Sequence, residues 1–295
     1  MSDQADGLRQ RICARQEVAP RSRCRTLVLT SGKGGVGTSN LALNLAIALG
    51  EQGRRVVLVD ADFGLANIDL LCGLSPSRDL GDVLAGTCSL AEATVDGPGG
   101  IRIIPGAHAS RTVAERLIDA PARLLAELAG LEADADFVVV DAGSGLGPAI
   151  SALASSSVEV LVVTTPEPTS VADAHATIGR LRLLPTAPLI RAVVNQAASR
   201  REGADVLARL AASSRQFLGA VVDGLGTVRA DPSVPLAVRV QRPFASTYPS
   251  AAAARDVRRL ARDLVARSEP TAPPRRPGFF KHLVSRWALA RVAAL

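Results

Sequence analysis

Gly32-Lys33-Gly34-Gly35-Val36-Gly37-Thr38-Ser39 is the stretch of this chain whose residue types and spacing point most directly to chemistry. Four glycines in six positions let successive backbone N–H groups turn inward, which is how a polypeptide holds a polyphosphate without many side chains. The spacing G-x-x-x-x-G-x-S fits a P-loop in which the Ser39 hydroxyl would meet a magnesium ion. It departs from that motif at one position, where Thr38 stands in place of the usual lysine. Two further groups belong to the same chemistry. Asp60 and Asp62 close the apolar run Arg55 to Val59, and Asp141 closes Phe137 to Val140. Acids at the carboxyl ends of parallel strands lie at the ligand edge of a sheet, and Asp141 there is expected to hold a magnesium-bound water.

The elements needed to position these groups are legible in the hydrophobic pattern. Leu27 to Leu29 predicts a buried strand, Leu41 to Leu49 a helix, Ile101 to Ile104 a strand, and Thr112 to Leu131 a long amphipathic helix. Val160 to Thr164 and Leu189 to Val194 predict further strands. Ser170 is expected to cap the helix after the first of these, and Phe217 to Val222 to be the last core strand. Strands alternating with helices imply an α/β fold, doubly wound around a mostly parallel sheet and ending in helical tails. Gly143, Gly145 and Gly147 suit a second loop beside the phosphates. The Asn195 amide could pair with the donor and acceptor edge of adenine.

Composition narrows the class. A chain of 295 residues with 47% hydrophobic content can bury one large core, and its net charge of +6 is concentrated at the two ends. Lysine is nearly absent, occurring only at Lys33 and Lys281. Cys13, Cys24, Cys72 and Cys88 have neither metal-ligand spacing nor histidines to complete a site, so reduced thiols are expected. No apolar run is long enough to span a bilayer and no signal peptide is visible, so any membrane contact would be peripheral. The organisation expected is a basic leader over 1–24, a nucleotide-binding domain over 25–267, a proline-rich linker over 268–277 and an amphipathic helix over 278–295. In that last segment Phe279, Phe280, Leu283, Val284 and Trp287 share one helical face, with Lys281 away from it, the layout of a helix lying in a membrane interface.

With Lys33 directly after the first motif glycine, the loop resembles the deviant P-loop of the MinD/ParA family of dimeric ATPases. That resemblance implies that ATP and magnesium bind at Gly32 to Ser39, and that Lys33 reaches the partner's phosphates in a nucleotide-sandwich homodimer. It further implies that Asp62 positions the hydrolytic water and that Asn195 contacts adenine. The resemblance also implies that Ser39, Asp60 and Asp141 surround the magnesium, partly through water. The leader string with Asp3, Gln4, Ala5, Leu8 and Arg9 resembles the activator motif of the FlhG (FleN, YlxH) branch. So do Thr165 to Ala174 and Ala237 to Ser250. The branch implies regulation of flagellar placement or number through an FlhF-like GTPase, in the cytoplasm and reversibly on an anionic inner-membrane surface. Thr38 implies slow or absent ATP hydrolysis. Two alternatives stay open: a ParA-like partition protein binding DNA nonspecifically, and a scaffold that acts through its ends without nucleotide.

Overall fold

The computed structural model describes residues 24–62, 64–107, 130–145, 147–157 and 159–267. Its strands are β1 (Arg25–Ser31), β2 (Val56–Asp60), β3 (Val95–Asp96), β4 (Arg102–Ile104), β5 (Phe137–Ser144), β6 (Glu159–Thr164), β7 (Leu189–Ala197) and β8 (Val222–Arg229). Its helices are α1 (Thr38–Gly50), α2 (Ile68–Cys72), α3 (Leu80–Ala85), α4 (Leu90–Ala93), α5 (Pro148–Ser156), α6 (Pro168–Arg182), α7 (Arg200–Leu218), α8 (Ser233–Arg239), α9 (Phe244–Thr247) and α10 (Ala252–Ala266). The leader motif, the expected helix from Thr112 and the amphipathic tail lie outside the described residues, apart from the last two positions of that helix.

The strands form one sheet in the order β3-β4-β2-β5-β1-β6-β7-β8, with only the short edge strand β3 antiparallel. The central strands are apolar at nearly every position because both faces are covered. Successive residues of β1 show the division. Val28 joins the core under α3, α4, α6 and α7, whereas Leu27 and Leu29 join the core under α1, α8, α9 and α10. The β1–β5 register sets Leu29 opposite Asp141, and the β2–β5 register sets Asp60 opposite Asp141. Three strand ends therefore meet at one place on the carboxyl edge, where ligands of such sheets collect.

Two expectations fail here. The run Phe217 to Val222 is not a strand: α7 continues to Leu218 and stops at Gly219, whose φ of 58° ends it in the left-handed region. The last strand is Val222–Arg229, and the apolar pattern missed it because Gly224 and Gly226 interrupt it. Those glycines are packing sites. A Cβ on Gly226 would lie 2.7 Å from Leu260 of α10. Ser170 does not cap α6, which begins with Pro168 preceded by Glu167. Its hydroxyl sits inside the first turn, accepts the Thr165 N–H at 3.0 Å and pairs with the Thr164 hydroxyl at 2.9 Å. It thereby fastens the helix to the end of β6.

Candidate functional site

The loop between β1 and α1 has the shape an anion needs. Gly35 and Gly37 take φ of 82° and 86°, conformations that a side chain would strain. Helix α1 starts with no side-chain cap and no acid in its first turn, so its first N–H groups and its positive end face the hollow. Gly32 is demanded by contact: a Cβ there would fall 2.3 Å from the carbonyl oxygen of Asp173 on α6. Gly32→Val should push α6 away from the loop and abolish binding of a fluorescent ATP analogue. Retained binding would show that the loop does not depend on this contact.

Three sequence-selected residues are held in ways that sequence alone did not disclose. Thr38 is buried, and its Oγ1 donates to Ser31 Oγ at 3.0 Å, while that hydroxyl donates to the Lys33 carbonyl at 3.0 Å. Its one donor is thus spent beneath the loop and does not replace the missing ammonium. Lys33 lies at the exposed rim, with Nζ 3.0 Å from Glu167 Oε2. Asn195 Nδ2 donates to the Val36 carbonyl at 2.8 Å, which leaves its Oδ1 and its second N–H for another partner. Asn195 does not end β7. The strand runs on to Ala197 through a bulge at Gln196, a non-glycine residue at φ 57°, and such bulges re-aim side chains beside functional sites.

The acids gather around Asp141, which lies beside Ser39. Asp60 is fully buried, its Oδ1 accepting the Asp62 N–H and its Oδ2 accepting those of Asn67 and Ile68. It therefore also holds the start of α2. Asp62 Oδ1 accepts from Gly64 and Leu65, and its carboxylate fills the space a Cβ on Gly143 would need, 2.4 Å from Oδ2. Asp141 Oδ1 accepts the Gly143 N–H at 3.2 Å. Its Oδ2 is buried without a hydrogen bond, although the Ser39 hydroxyl is near enough to hold its pKa down.

Burial, then repulsion from Asp141, pushes Asp60 up to about 7. Burial also pushes Asp141 up to about 6, opposed by Ser39 and the Gly143 N–H and aided by the charge of Asp62. These folded-state values lie above the ordinary 3.8, so the folded protein binds more protons than the unfolded chain between about pH 4 and 7. The pair thus contributes stability that is present at low pH and lost as pH rises through that window. Without ligand, the urea midpoint should fall across it. With magnesium and nucleotide the slope should flatten, because a cation favours the charged carboxylates. A midpoint flat in both states would rule out this account.

An orphaned buried carboxylate oxygen beside a hydroxyl, among acids that resist ionisation, is a donor set that fits a hard divalent cation. Among the described residues no group of three or more His, Cys, Asp or Glu is arranged to hold an ion by itself. Ser39 and Asp141, with Asp60 beside Asp141, are the residues that would hold a magnesium ion.

Sequence reasoning missed two buried ion-pair groups, one at the amino edge of the sheet where β1 and β6 start and one beside the end of β8. Glu159, 3% exposed, lies 2.6 Å from Arg25 and 2.9 Å from Arg191, which is itself 7% exposed. Asp256, 1% exposed, is held by Arg200 and Arg229. A charged residue inside an apolar run was the only available signal.

Comparison with known proteins agrees with this geometry. Residues 27–243 match the family described as the CobQ/CobB/MinD/ParA nucleotide binding domain. The antiactivator FleN of Pseudomonas aeruginosa is 36% identical over 256 residues, spanning 87% of this chain and 91% of FleN. The flagellum site-determining protein YlxH of Helicobacter pylori is 35% identical over 159 residues, 54% of each chain. Among solved structures, the septum site-determining protein MinD from Pyrococcus horikoshii, complexed with Mg-ADP, is 27% identical with a TM-score of 0.66, covering 83% of this chain and 98% of its own. With a family match over most of its length and a relative this similar end to end, the chain belongs to the CobQ/CobB/MinD/ParA family of nucleotide-binding proteins.

Proposed function

We propose that this chain is a FlhG-like switch that binds ATP and magnesium, pairs with a second copy when loaded, and regulates flagellar placement or number through an FlhF-like GTPase. The observation that carries the reading is the position of Lys33. It stands at the open rim of a loop whose own lysine position is closed off, and among the described residues its one ion pair is with an exposed glutamate. An exposed ion pair contributes about 0–1 kcal/mol, so the ammonium can leave Glu167 at little cost. In a sandwich dimer the partner subunit's Lys33 would supply the cation that Thr38 does not.

The division of labour follows. Backbone N–H groups from Gly34 to Ser39 bind and orient the phosphates, Ser39 and Asp141 hold the ion, and Asn195 meets the base. Magnesium, when bound, neutralises phosphate charge. Asp62 orients the hydrolytic water in this reading, which its position beside Asp141 and against Gly143 supports. Because the loop lacks its own ammonium, hydrolysis is slow and the nucleotide acts mainly as a dimerising ligand. The similarity to FleN and YlxH supports the flagellar assignment, and the leader motif supports the GTPase as partner. The protein works in the cytoplasm and touches the inner membrane reversibly through its tail; among the described residues no helix is long and apolar enough to cross a membrane.

The test is molecular mass with and without ATP and magnesium, scored together with GTP turnover by a purified FlhF-type GTPase. ATP-dependent pairing and GTPase stimulation that Gln4→Ala removes are expected. Absence of heat in ATP calorimetry, with a persistent monomer, would replace the switch with a scaffold. Salt-sensitive DNA binding without GTPase stimulation would replace it with a partition protein.

A further inference from the structure

Helix α10 buries Ala253, Ala254, Val257, Leu260, Ala261 and Leu264 against the sheet, and on its opposite side it exposes Arg255, Arg259 and Arg262. At 3.6 residues per turn these three fall within about 60° of arc and about 10 Å of helix length. None of them forms an ion pair among the described residues, unlike Arg258, which binds Glu51 at 2.6 Å. Asp263, half-buried on the flank, is the one acid among the exposed and half-buried residues of α10. The stripe is rigidly mounted. Arg258 also donates to the carbonyls of Pro249 and Ala245, clamping the α9 segment onto α10.

The same layer carries a second feature. Just before α9, Leu236, Val238 and Val240 are 47%, 39% and 55% exposed, interleaved with exposed Arg239 and Arg242. Branched aliphatics at the surface gain nothing from a phosphate backbone, whereas arginines beside aliphatics match the headgroup and acyl boundary of an anionic bilayer. In sequence, residues 268–277 and then the aromatic residues from Phe279 onward follow the end of α10.

We propose that the outer face of α10, with the Leu236 to Arg242 segment beside it, is a cationic seat for an anionic lipid surface that orients the folded domain once the tail has inserted. The proposal rests on the membrane contact of the tail and goes beyond it, because it assigns a contact to the folded domain. Stable attachment takes two signals, and a single short aromatic insertion supplies one. Each arginine near such a surface is worth about fivefold in partition, so the three together give about a hundredfold, lost as salt shortens the Debye length.

The experiment is vesicle flotation of the full chain on phosphatidylcholine alone and on mixed phosphatidylcholine and phosphatidylglycerol, with duplex DNA binding measured in parallel. Arg255→Gln/Arg259→Gln/Arg262→Gln should weaken binding to the mixed vesicles about a hundredfold at low salt and change nothing at high salt. The corresponding triple lysine variant should restore it. Unchanged vesicle binding by the glutamine variant overturns the seat, as does failure of the lysine variant to rescue, or loss of DNA binding alone. Phe280→Asp/Trp287→Asp separates the two ideas. If it abolishes binding while the glutamine variant does not, the tail contact stands and the seat falls; if wild type ignores both vesicles, both fall. Should the triple variant melt early, Arg259→Gln with an expected fivefold loss, together with the wild-type salt titration, decides the question.

Discussion

Thr38→Lys is expected to raise ATP affinity about ten- to a hundredfold and ATP turnover about a hundred- to a thousandfold. The first figure follows from one hydrogen bond to a charged group, about 1.5–3 kcal/mol. The second follows from restoring one preorganised donor to the transition state. The expectation that the wild type lacks both rests on the hydrogen bonds of Thr38. Threonine does not merely fall short of the phosphates; its hydroxyl is turned down onto Ser31, and Ser31 onto the Lys33 carbonyl. These bonds fasten the loop from beneath, so the cradle keeps its shape while losing its ammonium. The substitution breaks the Thr38–Ser31 bond, at a cost in stability of about 1 kcal/mol, and sends a flexible stem out over the glycines. Steady-state phosphate release by wild type and variant, with Lys33→Ala as a control for dimer dependence, checks the expectation. Brisk turnover by the wild type, equal to that of the variant, would dispose of the impaired-hydrolysis reading.

The largest expected loss of stability lies far from that loop. Glu159→Ala should lower unfolding free energy by about 3–5 kcal/mol, the range for removing one partner of a buried pair. Arg191 is 7% exposed, and without Glu159 its nearest acid is Asp223 at 3.6 Å. Its desolvation is already severe enough to draw its pKa below the ordinary arginine value, with Glu159 the main group opposing that shift. The same carboxylate ties the start of β1 to β6 through Arg25, whose guanidinium also reaches the Leu264 carbonyl at the end of α10. Guanidinium denaturation should therefore show a lower midpoint with an unchanged slope. Replacing Glu159 and Arg191 together by Gln and Met should recover much of the loss, since the more deeply buried cation goes with its partner and the Gln amide oxygen can still accept from Arg25. If the single variant is as stable as wild type, water already reaches the cluster and the burial argument fails.

Several features were legible before any fold was drawn. The glycine-rich turn, the acids after two apolar strands, and the alternation of strand and helix are local patterns, and their physical requirements are local too. A backbone that must take φ of 82° and 86° asks for Gly35 and Gly37 whatever surrounds it. Apolar runs of strand length, covered on both faces, ask for a parallel sheet. Where reasoning from pattern failed, the deciding contact came from far along the chain. Strand β8 was hidden because Gly224 and Gly226 serve the close approach of helices, and a glycine required by packing reads in sequence as a turn. Ser170 looked like a cap because capping residues and residues that bond a neighbouring strand are the same types.

By itself, then, the chain's order of residues determined the architecture, the anion-binding loop and the absence of the loop's lysine, since each depends on neighbours within a few positions. Only the tertiary structure decided that Thr38 spends its hydroxyl on Ser31, that Lys33 waits on Glu167, and that Asp141 keeps an oxygen unpaired beside Ser39. It alone brought Arg255, Arg259 and Arg262 to one exposed face of α10, in the layer that also carries α8 and α9. The physical reason is that hydrogen bonds and charges act through space over a few ångströms, and residues 134 positions apart, as Lys33 and Glu167 are, become neighbours only when the sheet has formed.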